Sequence, residues 1–146
     1  MTAMPKLVSA AGGTALNVLG DHVLVKLTGQ DTNAQFALTE QVNQPGTGLP
    51  LHLHTREDET FLVLEGRVEF VVGTDMSIVE AGGLAYAPRG TAHSFRVVSD
   101  TPARMLIHVS PAGLENMFQE LSQMPAGPPD MAQVTAICGH YGVSFL

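Results

Sequence analysis

Apolar and polar positions alternate along most of this chain in short runs, and each run ends at Gly, Pro, Asn or Asp. Residues 14–28 hold two such runs, ALNVL and VLVKL, split by Gly20 and Asp21, a turn pair. Residues 33–43 set Phe36, Leu38, Glu40 and Val42 against Ala37, Thr39 and Gln41, until Gln44-Pro45-Gly46 breaks the run. Residues 51–54 and 60–64 follow, then VEFVV, MSIVE and LAYAP, with Gly66-Arg67, Gly73-Thr74-Asp75 and Ala81-Gly82-Gly83 as turns. Residues 91–98 and 103–109 end the series. A period of two repeated this often predicts an all-β sandwich or barrel. The double-sheet jelly roll is one such architecture.

Beyond residue 109 the period changes. Ser110-Pro111 suits an N-cap and first helical position. Leu114, Met117, Phe118 and Leu121 then recur at helical spacing. Residues 125–129 interrupt. Asp130 with Gln133 resembles a capping box, Met131, Val134, Ile137 and Tyr141 line one side of a second helix, and Gly142 can end it. Helices this short do not stand alone, so they are expected to pack on the barrel or across a dimer. The predicted division is a β-barrel over residues 1–110 and a two-helix extension over residues 111–146.

A chain of 146 residues, 45% of them hydrophobic, can bury one substantial core. The net charge of −7, with only seven Lys and Arg, argues against nucleic acid as a partner. One cysteine, Cys138, allows no internal disulfide and suits a reducing compartment. No run has the length of a signal peptide or a membrane span. The expectation is a soluble, cytoplasmic protein with no membrane partner.

The candidate chemistry lies in residues 46–66, GTGLPLHLHTREDETFLVLEG. His52 and His54 are two apart in an alternating run, so both imidazoles project from one face of a strand. Glu59 lies five residues on, and shares a face with Phe61 and Val63. The spacing reads as a strand pair, with His93 added from a second short segment. Three nitrogens and one carboxylate suit one divalent Fe, Mn, Ni, Co, Cu or Zn ion. In octahedral geometry two positions stay open, as catalysis requires.

These residues carry a resemblance. Gly46, five residues, His52, Leu53, His54, four residues, Glu59, six residues and Gly66 match the first cupin motif. Gly82, five residues, Pro88, Arg89, Gly90, two residues and His93 match most of the second, over residues 82–97; Val97 stands where that motif has Asn. The chain is thus similar to small single-domain cupins of the quercetin-dioxygenase-like group. The resemblance implies a double-stranded β-helix with a metal held by His52, His54, Glu59 and His93. It also implies a substrate bound at the metal, deprotonated by Glu59 and attacked by dioxygen. Two alternatives remain open: a non-catalytic binding or sensing module, and a metal-dependent isomerase or cyclase that uses no oxygen.

Around this set, Phe61, Val63, Met76, Tyr86, Phe95 and Met105 are expected to line an apolar pocket for an apolar or aromatic small molecule. Glu57 and Asp58 read as a solvated acidic turn. Arg89 reads as a surface pair, with contact to an anionic substrate the alternative. His22, His108 and His140 carry no motif. Leu62 and Leu64 make the 60–64 strand apolar on its second face as well, and a homodimer is the expected cover.

Overall fold

In the computed structural model, which describes residues 2–146, the alternating runs become antiparallel strands. They are β1 (Thr14–Val18), β2 (Asp21–Leu27), β3 (Ala37–Asn43), β4 (Gly48–His54), β5 (Asp58–Glu65), β6 (Arg67–Val72), β7 (Asp75–Glu80), β8 (Leu84–Ala87), β9 (His93–Val97), β10 (Ala103–Ser110) and β11 (Val143–Phe145). Three helices join them: α1 (Gly29–Thr32), α2 (Leu114–Ser122) and α3 (Met131–His140). One sheet runs β1-β2-β3-β10-β5-β8, and the other β11-β4-β9-β6-β7. Together they form the expected jelly roll, or double-stranded β-helix.

The period of two explains the core. Val23, Val25, Phe61, Val63, Met105 and Ile107 of the first sheet are buried against Val68, Phe70, Phe95 and Val97 of the second. Each such side chain contributes about 1.5–3 kcal/mol on leaving water. Phe61, Phe70 and Phe95 meet with ring centroids 5.3–6.1 Å apart, which closes the barrel interior on one side of the histidines.

Four local expectations are corrected. The run from residue 33 does not begin as a strand: α1 precedes it, and Asn33 ends that helix in the left-handed region at φ 57. The signal was Asp31, whose carboxylate accepts from the Thr28 backbone N–H at 2.9 Å. Ser110 caps no helix, because it remains paired with Asp58 at the end of β10, and its hydroxyl donates to the Gln35 carbonyl. Helix α2 instead starts after Gly113, at φ 141. In α3, Val134 and Cys138 face inward while Met131 is exposed, and β11 follows where no strand was expected.

The fourth correction bears on the site. Strands β4 and β5 are not partners. β4 pairs with β9 and β11, whereas β5 pairs with β10 and β8, so the chain changes sheets between His54 and Asp58. β4 also bulges, its register with β9 shifting between Leu49 and His52, with Pro50 inside the irregularity. Just before it, a Cβ on Gly48 would collide with the Phe95 carbonyl. Only glycine lets β4 approach β9 closely enough to bring His52 opposite His93.

Helix α2 packs on β1 and β3, and α3 packs on β11 and α2. Among the described residues no helix is long and apolar enough to cross a membrane.

Candidate metal centre

Strand parity delivers the four ligand candidates to the barrel interior. On β4, His52 and His54 are buried while Leu51 and Leu53 are not. On β5, Glu59 is buried beside Phe61 and Val63, as its face predicts. His93, the first residue of β9, lies directly across from His52. The coordinating atoms of His52, His54, Glu59 and His93 all fall within 4.8 Å of one another.

Hydrogen bonds on the outer nitrogens orient the rings. Nδ1 of His52 meets the Pro50 carbonyl at 2.8 Å, and Nδ1 of His93 meets the Thr91 carbonyl at 3.0 Å. A carbonyl only accepts, so each Nδ1 carries a proton and each Nε2 faces the cluster. Nδ1 of His54 meets Glu57 Oε1 at 2.8 Å. Glu57 is therefore no solvated turn residue: it is buried, and it orients a ligand candidate. Its signal was position, three residues after His54 in the crossover between sheets.

Inside the cluster, Glu59 Oε2 lies 3.0 Å from His93 Nε2 and 3.2 Å from His54 Nε2. Burial alone would raise the Glu59 pKa, but the close approach of His93 Nε2 and the three surrounding imidazoles outweigh it and hold the carboxyl below its usual range. Burial pushes His52 down to about 4. Burial also works against charge on His54, yet the Glu57 hydrogen bond and the Glu59 and Glu57 charges raise it. An ionised carboxylate facing inward-turned Nε2 atoms at this range suits a small cation between them. The donor set of three imidazole nitrogens and one carboxylate oxygen fits a divalent transition metal.

The other expected site residues divide. Phe61, Val63, Phe95 and Met105 are buried in the barrel core. Met76 is 69% exposed on β7, an edge strand that nothing covers, and Tyr86 is 52% exposed on β8. On β8 the small residues Ala85 and Ala87 point inward instead, and Ala87 pairs with Glu59. Neither Met76 nor Tyr86 lines a pocket at the cluster. Arg89 forms a fork on the Asp58 carboxylate with contacts of 3.1 Å, so both residues face solvent as a pair. His22 and His140 are exposed, and His108 stacks on Phe36 at 4.8 Å on the outer face of the first sheet.

The cavity that does reach the cluster has a volume of about 430 Å³ and is bordered by His52 and His54. Its walls are mostly apolar, from Val18 and Val23, from Leu49, and from Leu114, Phe118 and Val134 of the two C-terminal helices. None of the six residues expected to form a pocket lines it. Phe61, Val63, Phe95 and Met105 serve the core instead, and Met76 and Tyr86 lie at the surface.

Residues 39–109 match the cupin domain family. Quercetin 2,3-dioxygenase of Bacillus subtilis is 29% identical over 96 residues, covering 66% of this chain and 28% of that enzyme. The chain thus spans little more than a quarter of that relative, and about half of two further curated relatives. The structure of KdgF from Halomonas sp. superposes with a TM-score of 0.69 at 15% identity, over 77% of this chain and 99% of that one. The polyketide cyclase RemF from Streptomyces resistomycificus superposes at 0.62 with 24% identity, over 73% and 80%. These two likenesses concern the fold. The matched segment runs from the middle of β3 to the end of β10, through every strand that carries a ligand candidate, and it is a cupin domain.

Proposed function

We propose that this protein is a mononuclear-metal enzyme of dioxygenase type, acting on an apolar or aromatic small molecule. The observation that carries the reading is the mostly apolar cavity of about 430 Å³ ending on His52 and His54. Similarity to a quercetin 2,3-dioxygenase supports it. His52, His54, Glu59 and His93 are the proposed metal ligands. A divalent transition ion held there supplies Lewis acidity and open coordination positions.

The chain's own residues have distinct tasks in this reading. The three histidines and their Nδ1 partners hold the donor geometry fixed. The cavity walls orient the substrate and exclude water from it. Glu59, ionised and buried, takes the proton of an acidic substrate hydroxyl and returns it to the product. Dioxygen contributes both of its atoms to the product and is itself the oxidant, so no separate reductant is required.

The test compares metal content and quercetin-dependent oxygen uptake in wild type, His52→Ala and Glu59→Gln. His52→Ala should lose most of its metal. Glu59→Gln should retain much of it and lose turnover by about 10²–10⁴, the scale of a missing general base. A Glu59→Gln variant with full metal and full rate would remove Glu59 from the base role. Turnover that persists without oxygen would replace the dioxygenase with an isomerase or cyclase. Binding with no turnover at all would leave a sensing module.

A further inference from the structure

The inner face of β3 is unusual for a barrel core. Its inward row reads Ala37, Thr39, Gln41, Asn43, and the last three are polar and buried. Thr39 Oγ1 and both amide atoms of Asn43 have no hydrogen-bond partner. Gln41 is only 8% exposed and borders the same cavity as His52 and His54, as does Asp21. Asp21 lies next to Asn43, whose amide only partly offsets the rise in the acid's pKa caused by burial. That contact lacks the geometry of a formed hydrogen bond.

A buried polar group without a partner destabilises a fold. A leucine at position 41 would satisfy the alternating pattern of β3 equally well. The polar row therefore needs another explanation. Of this row Gln41 borders the cavity; it belongs to the first sheet, whereas His52 and His54 belong to the second, so polar side chains from both sheets face a cavity that is otherwise mostly apolar.

We infer that Gln41, together with Asp21 on the same cavity wall, is a second polar anchor of the substrate cavity. The ligand class that fits is a largely apolar molecule with a metal-chelating oxygen pair at one end and a further hydroxyl remote from it. The Gln41 amide offers both a donor and an acceptor to that hydroxyl, and Asp21 offers an acceptor. The inference rests on the proposed reading of the metal site and names the substrate features it selects. Gln41 is in this view a specificity-determining residue, because an amide facing an otherwise mostly apolar cavity discriminates strongly against a ligand lacking the matching group.

Two flavonols serve as probes, with binding to the Zn²⁺-loaded protein followed by flavonol absorbance, so that no turnover is needed. Quercetin carries hydroxyls on both ring systems, whereas 3-hydroxyflavone keeps only the chelating 3-hydroxy-4-keto pair. Wild type should favour quercetin by about tenfold. In Gln41→Leu that ratio should fall towards one, with Zn²⁺ content unchanged, and Asp21→Asn should reduce it less. Gln41→Leu should also melt at a higher temperature than wild type, since a largely buried polar side chain is replaced by an apolar one on the inner face of the barrel.

A lower melting temperature for Gln41→Leu would show a structural role, such as a water-bridged network, and overturn the inference. So would an unchanged flavonol preference. A wild type that holds Zn²⁺ but binds neither flavonol would overturn the ligand class. A wild type that holds no Zn²⁺ would overturn the metal-site reading instead, and the melting comparison would still decide the role of Gln41.

Discussion

At the scale of single residues, the outer nitrogen of each histidine matters as much as the inner one. Glu57 is the side chain through which this can be tested, because it touches His54 and not the cluster itself. Glu57→Gln keeps a hydrogen-bond acceptor but removes the charge. It should weaken metal affinity by about 10- to 100-fold, the usual effect of disturbing such a partner, measured by competition with a chelator. The metal-free protein should also carry a signature in its pH dependence. His52, held down to about 4, binds fewer protons folded than unfolded. Its contribution is complete above the ordinary histidine pKa near 6.5 and is lost as pH falls towards 4, by about 3 kcal/mol. His54 is shifted the other way, so its contribution is present below about 6.5 and lost as pH rises through its raised pKa. Melting of the chelator-treated protein should therefore peak near pH 6.5 and fall on the acid side. A His52→Asn variant should flatten that acid limb, and a wild-type profile level from pH 6.5 to 4 would contradict the assignment.

At the scale of elements, the C-terminal segment does more than cover the barrel. Helices α2 and α3 wall the cavity, and β11 extends the sheet on the open side of β4. The Thr55 N–H donates to the Gly142 carbonyl at 2.9 Å, and the Leu146 N–H donates to the Leu51 carbonyl at 3.0 Å. These bonds bracket the two histidines, and the Phe145 ring lies 6.0 Å from that of His52. The strand that carries His52 and His54 thus depends on the last residues for one of its neighbours. Removing residues 142–146 exposes that edge and uncovers the buried side of α3, including Val134. We expect a loss of about 3 kcal/mol, seen in denaturant melts. Metal should also escape faster to a chelator. Unchanged metal release in the truncated chain would mean that β4 is held by β9 alone.

At the scale of the whole molecule, the outer face of the first sheet carries an apolar row at the surface. Leu62 pairs with Leu84 on one side and Leu106 on the other, forming an apolar row across three strands. Leu84 is 58% exposed at the sheet edge, with Tyr86 beside it on the same face. A second copy of the chain is the expected partner for this row. Light scattering at micromolar concentration should give a dimer, and the Leu62→Lys, Leu84→Lys double variant should give a monomer that keeps its metal. A dimer of this kind buries at least about 1,000 Å². A monomeric wild type would mean that the row is simply tolerated in water.

Much of this was legible in the sequence because it depends on neighbours two residues apart. Strand alternation placed His52 with His54, and Glu59 with Phe61 and Val63, and those faces are the ones buried. Glycine, proline and aspartate marked most of the turns, and motif spacing identified the four residues that meet within 4.8 Å. Alternation determines which residues share a face. It does not determine which strand comes alongside, and so β5 looked like the partner of β4 although the chain crosses to the other sheet between them. Nor does it say which face of a strand turns inward when both are apolar, which is why Tyr86 was placed inside and Ala87 was not. Glu57 became a histidine partner only through the path of that crossover. The cavity walls came from helices more than fifty residues away along the chain from the histidines they face. Local periodicity and motif spacing determined the ligand candidates; long-range packing, which no single segment encodes, decided what surrounds them.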